Sequence, residues 1–193
     1  MRVVGGEFRG RPLQAPMGEA IRPTSDRVRQ TLFDILAHSY GDPVSGGRVL
    51  DLFAGTGALG IEAISRGAAS VLFVDDGAEA RGIIRANVEA FGLTGRTRIF
   101  RRDATRLGET GTVPPFDLIF ADPPYGKGLG ERALSSALAG GWLKAGAVVV
   151  LEEDAAVSIA PIAGLEIEEI RRIGDTQIAF LRQPSLAGAA AGP

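Results

Sequence analysis

Two short stretches of this sequence carry residues whose types and spacing suit chemistry on a planar amine. The first is Asp122-Pro123-Pro124-Tyr125-Gly126. Two successive prolines fix the backbone and lack N–H groups, so the carbonyls of this turn face outward without local donors. An amine on a planar base can donate one hydrogen to the Asp122 carboxylate and the other to the Pro123 carbonyl, while Pro124 stiffens the turn and Tyr125 stacks on the ring. Such an amine has a delocalised lone pair and is a weak nucleophile. Hydrogen bonds that strengthen as its nitrogen becomes positive lower the barrier by orientation and electrostatics. The plainer alternative is a Pro-rich turn that caps a strand, with Tyr125 as packing.

The second stretch runs from Asp51 to Gly60, Asp-Leu-Phe-Ala-Gly-Thr-Gly-Ala-Leu-Gly, in which Gly55, Gly57 and Gly60 satisfy G-x-G-x-x-G. Glycines let the backbone approach a ligand, and the helix that follows presents unpaired N–H groups. Asp75 stands where a carboxylate accepts hydrogen bonds from a ribose diol. Together these features imply an adenosine-bearing cofactor. Asp51 tilts the choice, because a carboxylate at the strand end repels a dinucleotide's phosphates but attracts the sulfonium and ammonium of S-adenosylmethionine. Its alternative is a cap for the loop backbone. Asp103 either accepts from the adenine amine or caps a helix. Phe53 and Ala104 complete the expected cofactor contacts.

Strands must end just before these loops to position them. Residues 49–53, 70–74, 97–101, 116–121 and 146–151 are strand-like, and 58–66, 78–91 and 130–139 are helical. Strands this uniformly apolar are buried on both faces, as in a parallel sheet covered by helices. Ligands bind beyond the carboxyl ends of such strands, so the two loops lie side by side. Segments 165–172 and 176–182 have no helix between them and predict an antiparallel pair at the sheet edge. Upstream, Thr24-Ser25-Asp26 offers an N-cap, and Val28, Thr31, Leu32, Ile35 and Leu36 predict a helix to about His38. The first 20 or so residues, rich in Gly, Arg and Pro, predict a small β-hairpin or arm rather than a core element. The expected organisation is a basic arm over 1–22, one α/β domain over 23–183 and a disordered Ala/Gly tail over 184–193.

The chain has 193 residues, with 21 Lys plus Arg against 23 Asp plus Glu, and no cysteine. One domain fits this length, and it needs no disulfide or metal to hold it together. Thiolate catalysis, Cys-type zinc sites and iron–sulfur clusters are excluded, and the single His38 rules out a multi-histidine metal site, so no metal is expected. No apolar run approaches the roughly 20 residues that span a bilayer, and the first residues lack a signal-peptide core. A cytoplasmic protein away from membranes is expected.

The slightly acidic total hides two basic segments. Arg2, Arg9, Arg11, Arg22, Arg27 and Arg29 outnumber the acids of the first 30 residues, and Arg96, Arg98, Arg101, Arg102 and Arg106 face only Asp103, while residues 150–170 hold acids and no base. The six N-terminal arginines are candidates for phosphate contacts, with an ordinary solvated surface as the alternative. His38 is expected to be a cap or surface residue and Trp142 to be packing.

The motifs at 51–57 and 122–125 resemble the cofactor and catalytic motifs of the class I, S-adenosylmethionine-dependent amino-methyltransferases. More narrowly, Val4-Gly-Gly-Glu-Phe-Arg-Gly-Arg with Arg22-Pro-Thr-Ser-Asp-Arg-Val-Arg-Gln-Thr-Leu-Phe33 is similar to the bacterial 16S ribosomal RNA guanine-N(2) methyltransferases of the RsmD type. The resemblance covers about residues 1–183. It implies a Rossmann-like class I fold with a seven-stranded, mostly parallel sheet, S-adenosylmethionine as methyl donor, and a guanine 2-amino group of 16S rRNA in the 30S subunit as substrate. It also implies that Asp122 and Pro123 hold the amine, Tyr125 stacks, Asp75 binds the ribose, Asp103 lies near the adenine and Thr24 closes over the methionine end. A monomer is expected. The family more often has phenylalanine at the position of Tyr125, a change that keeps the stacking surface. Asp-Pro-Pro-Tyr also serves enzymes acting on adenine, cytosine and glutamine amines, so another base is the first alternative. A nicotinamide-dependent oxidoreductase is the second, and it leaves Asp-Pro-Pro-Tyr without a role.

Overall fold

The computed structural model describes residues 1–16 and 25–184. The first helix, α1 (Asp26–Ser39), starts where the Ser25 hydroxyl accepts from Val28 N–H at 3.2 Å, and it buries Val28, Leu32, Phe33 and Leu36 along one stripe. Then follow β1 (Arg48–Leu52), α2 (Ala58–Ser65), β2 (Ser70–Val74), α3 (Ala78–Ala90), β3 (Thr97–Phe100), a 3-10 turn (Ala104–Arg106), β4 (Phe116–Ala121), α4 (Leu129–Ala139), β5 (Leu143–Asp154), β6 (Glu166–Ile173) and β7 (Thr176–Arg182). Strand β5 is longer at both ends than its apolar run predicts.

The seven strands form one sheet in the order β3-β2-β1-β4-β5-β7-β6, parallel from β3 to β5. Strand β7 is antiparallel to both β5 and β6, so only β6 forms that edge, and its exposed face carries the charges of Glu-Ile-Glu-Glu-Ile-Arg-Arg-Ile. Helices cover both faces. Apolar residues of α1, α2 and α3 pack on one side with Val49, Phe73, Phe120 and Phe180, and those of α4 pack on the other with Leu50, Ile119 and Val149. The chain runs outward from β1 to β3 and returns to β4 on the opposite flank of β1. This reversal leaves a crevice beyond the carboxyl ends of β1 and β4.

The N-terminal segment differs from the arm expected outside the core. Its two limbs do pair as a small hairpin, with Arg2 bridged to Pro12 and Val3 N–H donating to Arg11 O at 3.0 Å, but Val3 and Leu13 are buried in the α1–α3 side of the core. Its anchor is Glu62, fully buried in α2, whose two carboxylate oxygens accept from Val4 N–H at 2.8 Å and Gly5 N–H at 2.7 Å, with Arg66 Nε donating at 2.8 Å. Sequence pattern misses this because the partners lie more than 50 residues apart. No helix among the described residues is long and apolar enough to cross a membrane. The expected tail lies outside them, apart from Pro184.

Candidate active site

The chain leaves β1 through Phe53, whose φ of 57° is left-handed, a costly conformation for a residue with a Cβ and a frequent mark of functional loops. Gly55 at φ 56° and Gly57 at φ 77° continue the turn into α2. A Cβ on Gly60 would stand 2.4 Å from Phe73 Cε1, so the third glycine is what lets α2 lie against β2.

Asp75 latches this loop from the end of β2: its Oδ2 accepts from Gly55 N–H at 2.9 Å and its Oδ1 from Gly77 N–H at 2.8 Å. Burial raises its pKa despite these bonds. Each oxygen keeps a second lone pair that a ribose hydroxyl can use. Asp51 is 1% exposed, accepts from Gly60 N–H at 3.0 Å and makes no ion pair among the described residues. Burial pushes its pKa up to about 8, with the charge of Asp75 adding and the Gly60 bond opposing. It therefore does cap the loop, as its alternative role required. A buried carboxylate without a cation at the mouth of a glycine loop also fits a ligand that brings positive charge.

Asp103 is exposed and caps the 3-10 turn, its Oδ1 accepting from Thr105 N–H at 2.8 Å and from Thr105 Oγ1 at 2.7 Å. Of its two expected roles the fold shows the cap. Ala104 is buried beside it. Thr24 lies outside the described residues.

The second loop emerges next to the first. Leu52 pairs in register with Ala121, Ala121 with Leu151, and Asp122 N–H points to Leu52 O at 3.5 Å. Strand alternation sets Asp51, Asp122 and Glu152 on one sheet face, each two residues beyond an apolar side chain of the α1–α3 side. Asp122 is half-buried, Pro123 buried, Pro124 exposed and Tyr125 half-buried. The Tyr125 hydroxyl donates to Glu152 Oε1 at 2.8 Å, and Gly126 N–H donates to Glu153 Oε1 at 3.0 Å. Burial and the charges of Glu152 and Asp122 push the phenol pKa up, so the hydroxyl stays a donor. Glu152 and Glu153, both buried at the end of β5, are legible in sequence only as part of an acidic stretch. Their signal is their place just past an apolar parallel strand.

The N-terminal arginines divide. Arg29 is fully buried, its guanidinium bonded to Asp26 at 2.8 Å and to Arg2 O, so it is a structural residue and not an RNA contact. Arg11 is exposed but lies over Phe91 at 4.2 Å and donates to Ala90 O at 2.7 Å. Arg2, Arg9 and Arg27 reach solvent, Arg2 with a side chain 70% exposed beside Asp26. Arg22 lies outside the described residues. His38 sits exposed at the end of α1 against Asp34 O, and Trp142 is fully buried with its Nε1 donating to Gly108 O at 2.7 Å, both as expected.

The chain is similar to known proteins. Residues 1–182 match the family described as "Conserved hypothetical protein 95". The chain belongs to that family. Conserved hypothetical protein 95 relatives include Ribosomal RNA small subunit methyltransferase D of Escherichia coli K12, 38% identical over 80% of this chain and 75% of that one. The enzyme of the same name from Haemophilus influenzae is 33% identical over 80% and 79%. The solved structure of yhhF from Escherichia coli superposes with a TM-score of 0.80 at 29% identity, over 96% of this chain and 98% of that one. In fold alone, SMU.776, solved in complex with S-adenosylhomocysteine, matches with a TM-score of 0.62 at 16% identity over 84% of this chain and 50% of that one. The architecture is the Rossmann-like class I methyltransferase fold that the motifs imply.

Proposed function

We propose that the protein transfers a methyl group from S-adenosylmethionine to the exocyclic 2-amino group of a guanine in 16S rRNA of the small ribosomal subunit. The observation that carries this is the pairing of Leu52 with Ala121, which sets the glycine loop and Asp-Pro-Pro-Tyr side by side at the reversal of strand order. The names of the Escherichia coli and Haemophilus influenzae relatives point to small-subunit ribosomal RNA as the substrate.

Bound S-adenosylmethionine supplies an electrophilic methyl on a positively charged sulfur. Asp75 holds Gly55 in the turn that cradles the adenosine. Asp51, protonated in the free protein up to about pH 8, would ionise beneath the loop against the cofactor's positive charge. Asp103, just past β3, caps the 3-10 turn through Oδ1 and would offer its other oxygen to the adenine amine. Asp122 accepts one amine hydrogen and the Pro123 carbonyl the other, which aims the nitrogen along the transfer direction and stabilises the charge it gains. Tyr125 offers its ring to a base drawn out of a single-stranded loop, where unstacking costs least. Arg2, Arg9 and Arg27 contact phosphates on the flank of the N-terminal segment. Action as a monomer and a cytoplasmic location, where rRNA is found, belong to the same proposal.

Incubation with tritiated S-adenosylmethionine and 30S subunits from cells lacking the enzyme should label one guanine. Label on adenine would move the protein to another base, and no label in 16S rRNA would refute the proposal.

A further inference from the structure

The second basic segment, Arg96 to Arg106, has no part in the account above, and its arginines separate by what they touch. Arg96 donates to Ala68 O at 2.5 Å, and Arg102 donates to Leu107 O at 2.7 Å while lying over Phe100 and Trp142. These two hold the fold. Arg101 and Arg106 are exposed and make no ion pair or side-chain hydrogen bond among the described residues, and the same holds for Lys127 and Arg132.

The elements that carry these four cations border the mouth of the site. Phe100 O accepts from Asp75 N–H at 3.2 Å, so Arg101 follows directly on the strand end that borders the glycine loop. Leu107 N–H donates to Ser136 Oγ at 2.9 Å, which docks the 3-10 turn on α4. Arg132 lies one helical turn before Ser136 on that side of α4, nearer the Asp122 loop, and Arg106 is adjacent to Leu107. Both guanidiniums are close enough to act on Asp103, whose carboxyl is held below its usual range first by Thr105 and then by these charges. Lys127 stands between Tyr125 and the start of α4. The N-terminal segment lies on the opposite flank, where Gln14 N–H donates to Asn87 Oδ1 at 2.8 Å and Asn87 Nδ2 donates to Thr56 O at 3.0 Å.

A nucleotide drawn into the site stays joined to the strand on both its 5′ and 3′ sides, so the backbone must enter across one flank and leave across another. Cations on one flank alone would leave half of that path without contacts. We propose that Arg101, Arg106, Lys127 and Arg132 form a second RNA-contacting surface, which binds backbone phosphates on the α4 side of the site while the N-terminal segment binds them on the α2–α3 side. This rests on the proposed RNA substrate. It adds where the strand exits and which residues hold it.

The test is the double variant Arg106→Gln/Arg132→Gln, with Lys127→Gln as a separate probe of the same rim, and a thermal melt to show that each folds. Affinity for a guanine-containing single-stranded RNA is read by fluorescence anisotropy over a salt series, and S-adenosylhomocysteine affinity by calorimetry. For the double variant the surface predicts RNA binding roughly tenfold weaker and a salt slope shallower by about 1.4, two single-strand phosphate contacts at about 0.7 each, with S-adenosylhomocysteine binding unchanged. In methyl transfer, KM for RNA rises and kcat stays within about twofold. Unchanged RNA affinity and slope in both variants would overturn the proposal, as would loss of S-adenosylhomocysteine binding, which would assign these residues to the cofactor. If the native protein binds RNA through this rim but transfers no methyl to rRNA, the proposed function fails and the surface stands.

Discussion

The two loops at the carboxyl ends of β1 and β4 are held through different groups. Asp51 in β1 and Asp75 just past β2 accept only from backbone N–H groups, those of Gly60 and Gly55. The Asp-Pro-Pro-Tyr loop is held partly through a side chain, because at the end of β5 Glu152 accepts from the Tyr125 hydroxyl and Glu153 from Gly126 N–H. A backbone latch suits a cofactor cradle of fixed shape. A side-chain support lets substrate stacking be tuned without touching that cradle.

The largest separation between the loops comes from Asp122→Ala. It removes the acceptor that orients the amine and stabilises its growing charge, so transfer falls by about a thousandfold, in the range measured for losing one such group. S-adenosylhomocysteine affinity stays within about threefold. Parallel loss of both in calorimetry and tritium transfer would erase the distinction between the loops.

Asp75→Ala is the reciprocal test. It leaves Gly55 and Gly77 N–H without their carboxylate, at about 1.5–3 kcal/mol for bonds to a charged group, which corresponds to roughly 10–150-fold weaker S-adenosylhomocysteine binding. At saturating cofactor, kcat changes little. A fall in kcat with unchanged cofactor affinity would contradict the cradle assignment.

Asp51 gives the pH signature of the cradle. The native state keeps its proton up to about pH 8, whereas the unfolded chain releases it near the ordinary carboxylate value of about 4. Over that window the native state binds more protons, so this group makes stability fall as pH rises. A cationic ligand favours the ionised form, so S-adenosylmethionine affinity rises with pH below about 8, by at most about tenfold per unit. Asp51→Asn should flatten both trends in melts and calorimetry. Equal slopes in variant and native protein would remove Asp51 from the vicinity of the ligand's charge.

The smallest effect belongs to the side-chain support. Tyr125→Phe and Glu152→Gln each alter one hydrogen bond, about 0.5–1.5 kcal/mol, or roughly 2–12-fold in kcat/KM for RNA, with cofactor affinity unchanged. The double variant should be no worse than the worse single one. Additive losses would show that the bond does not position the ring.

What sequence reveals depends on how far apart the partners lie. The parallel strands, the helices of both faces, the glycine loop and the Asp-Pro-Pro-Tyr turn are each encoded within a few residues, so periodicity and spacing expose them. Glu152, Glu62 and Arg29 act across the fold. Glu152 reads as one acid among several, Glu62 as a polar residue of a short helix, and Arg29 as one more N-terminal cation, although it is fully buried. Charge counting could not tell Arg29 from Arg27, two residues away and exposed. The difference is that Arg29 bonds to Arg2 O, in a segment that sequence placed outside the core.

The central claim is that the paired loops deliver a methyl group to one guanine amine of small-subunit rRNA. Mass spectrometric mapping of 16S rRNA from 30S subunits treated with the native protein or Asp122→Ala tests it most directly. The account predicts a single N2-methylguanine with the native protein and none with Asp122→Ala. A modification at another base, or one that persists in Asp122→Ala, would contradict it.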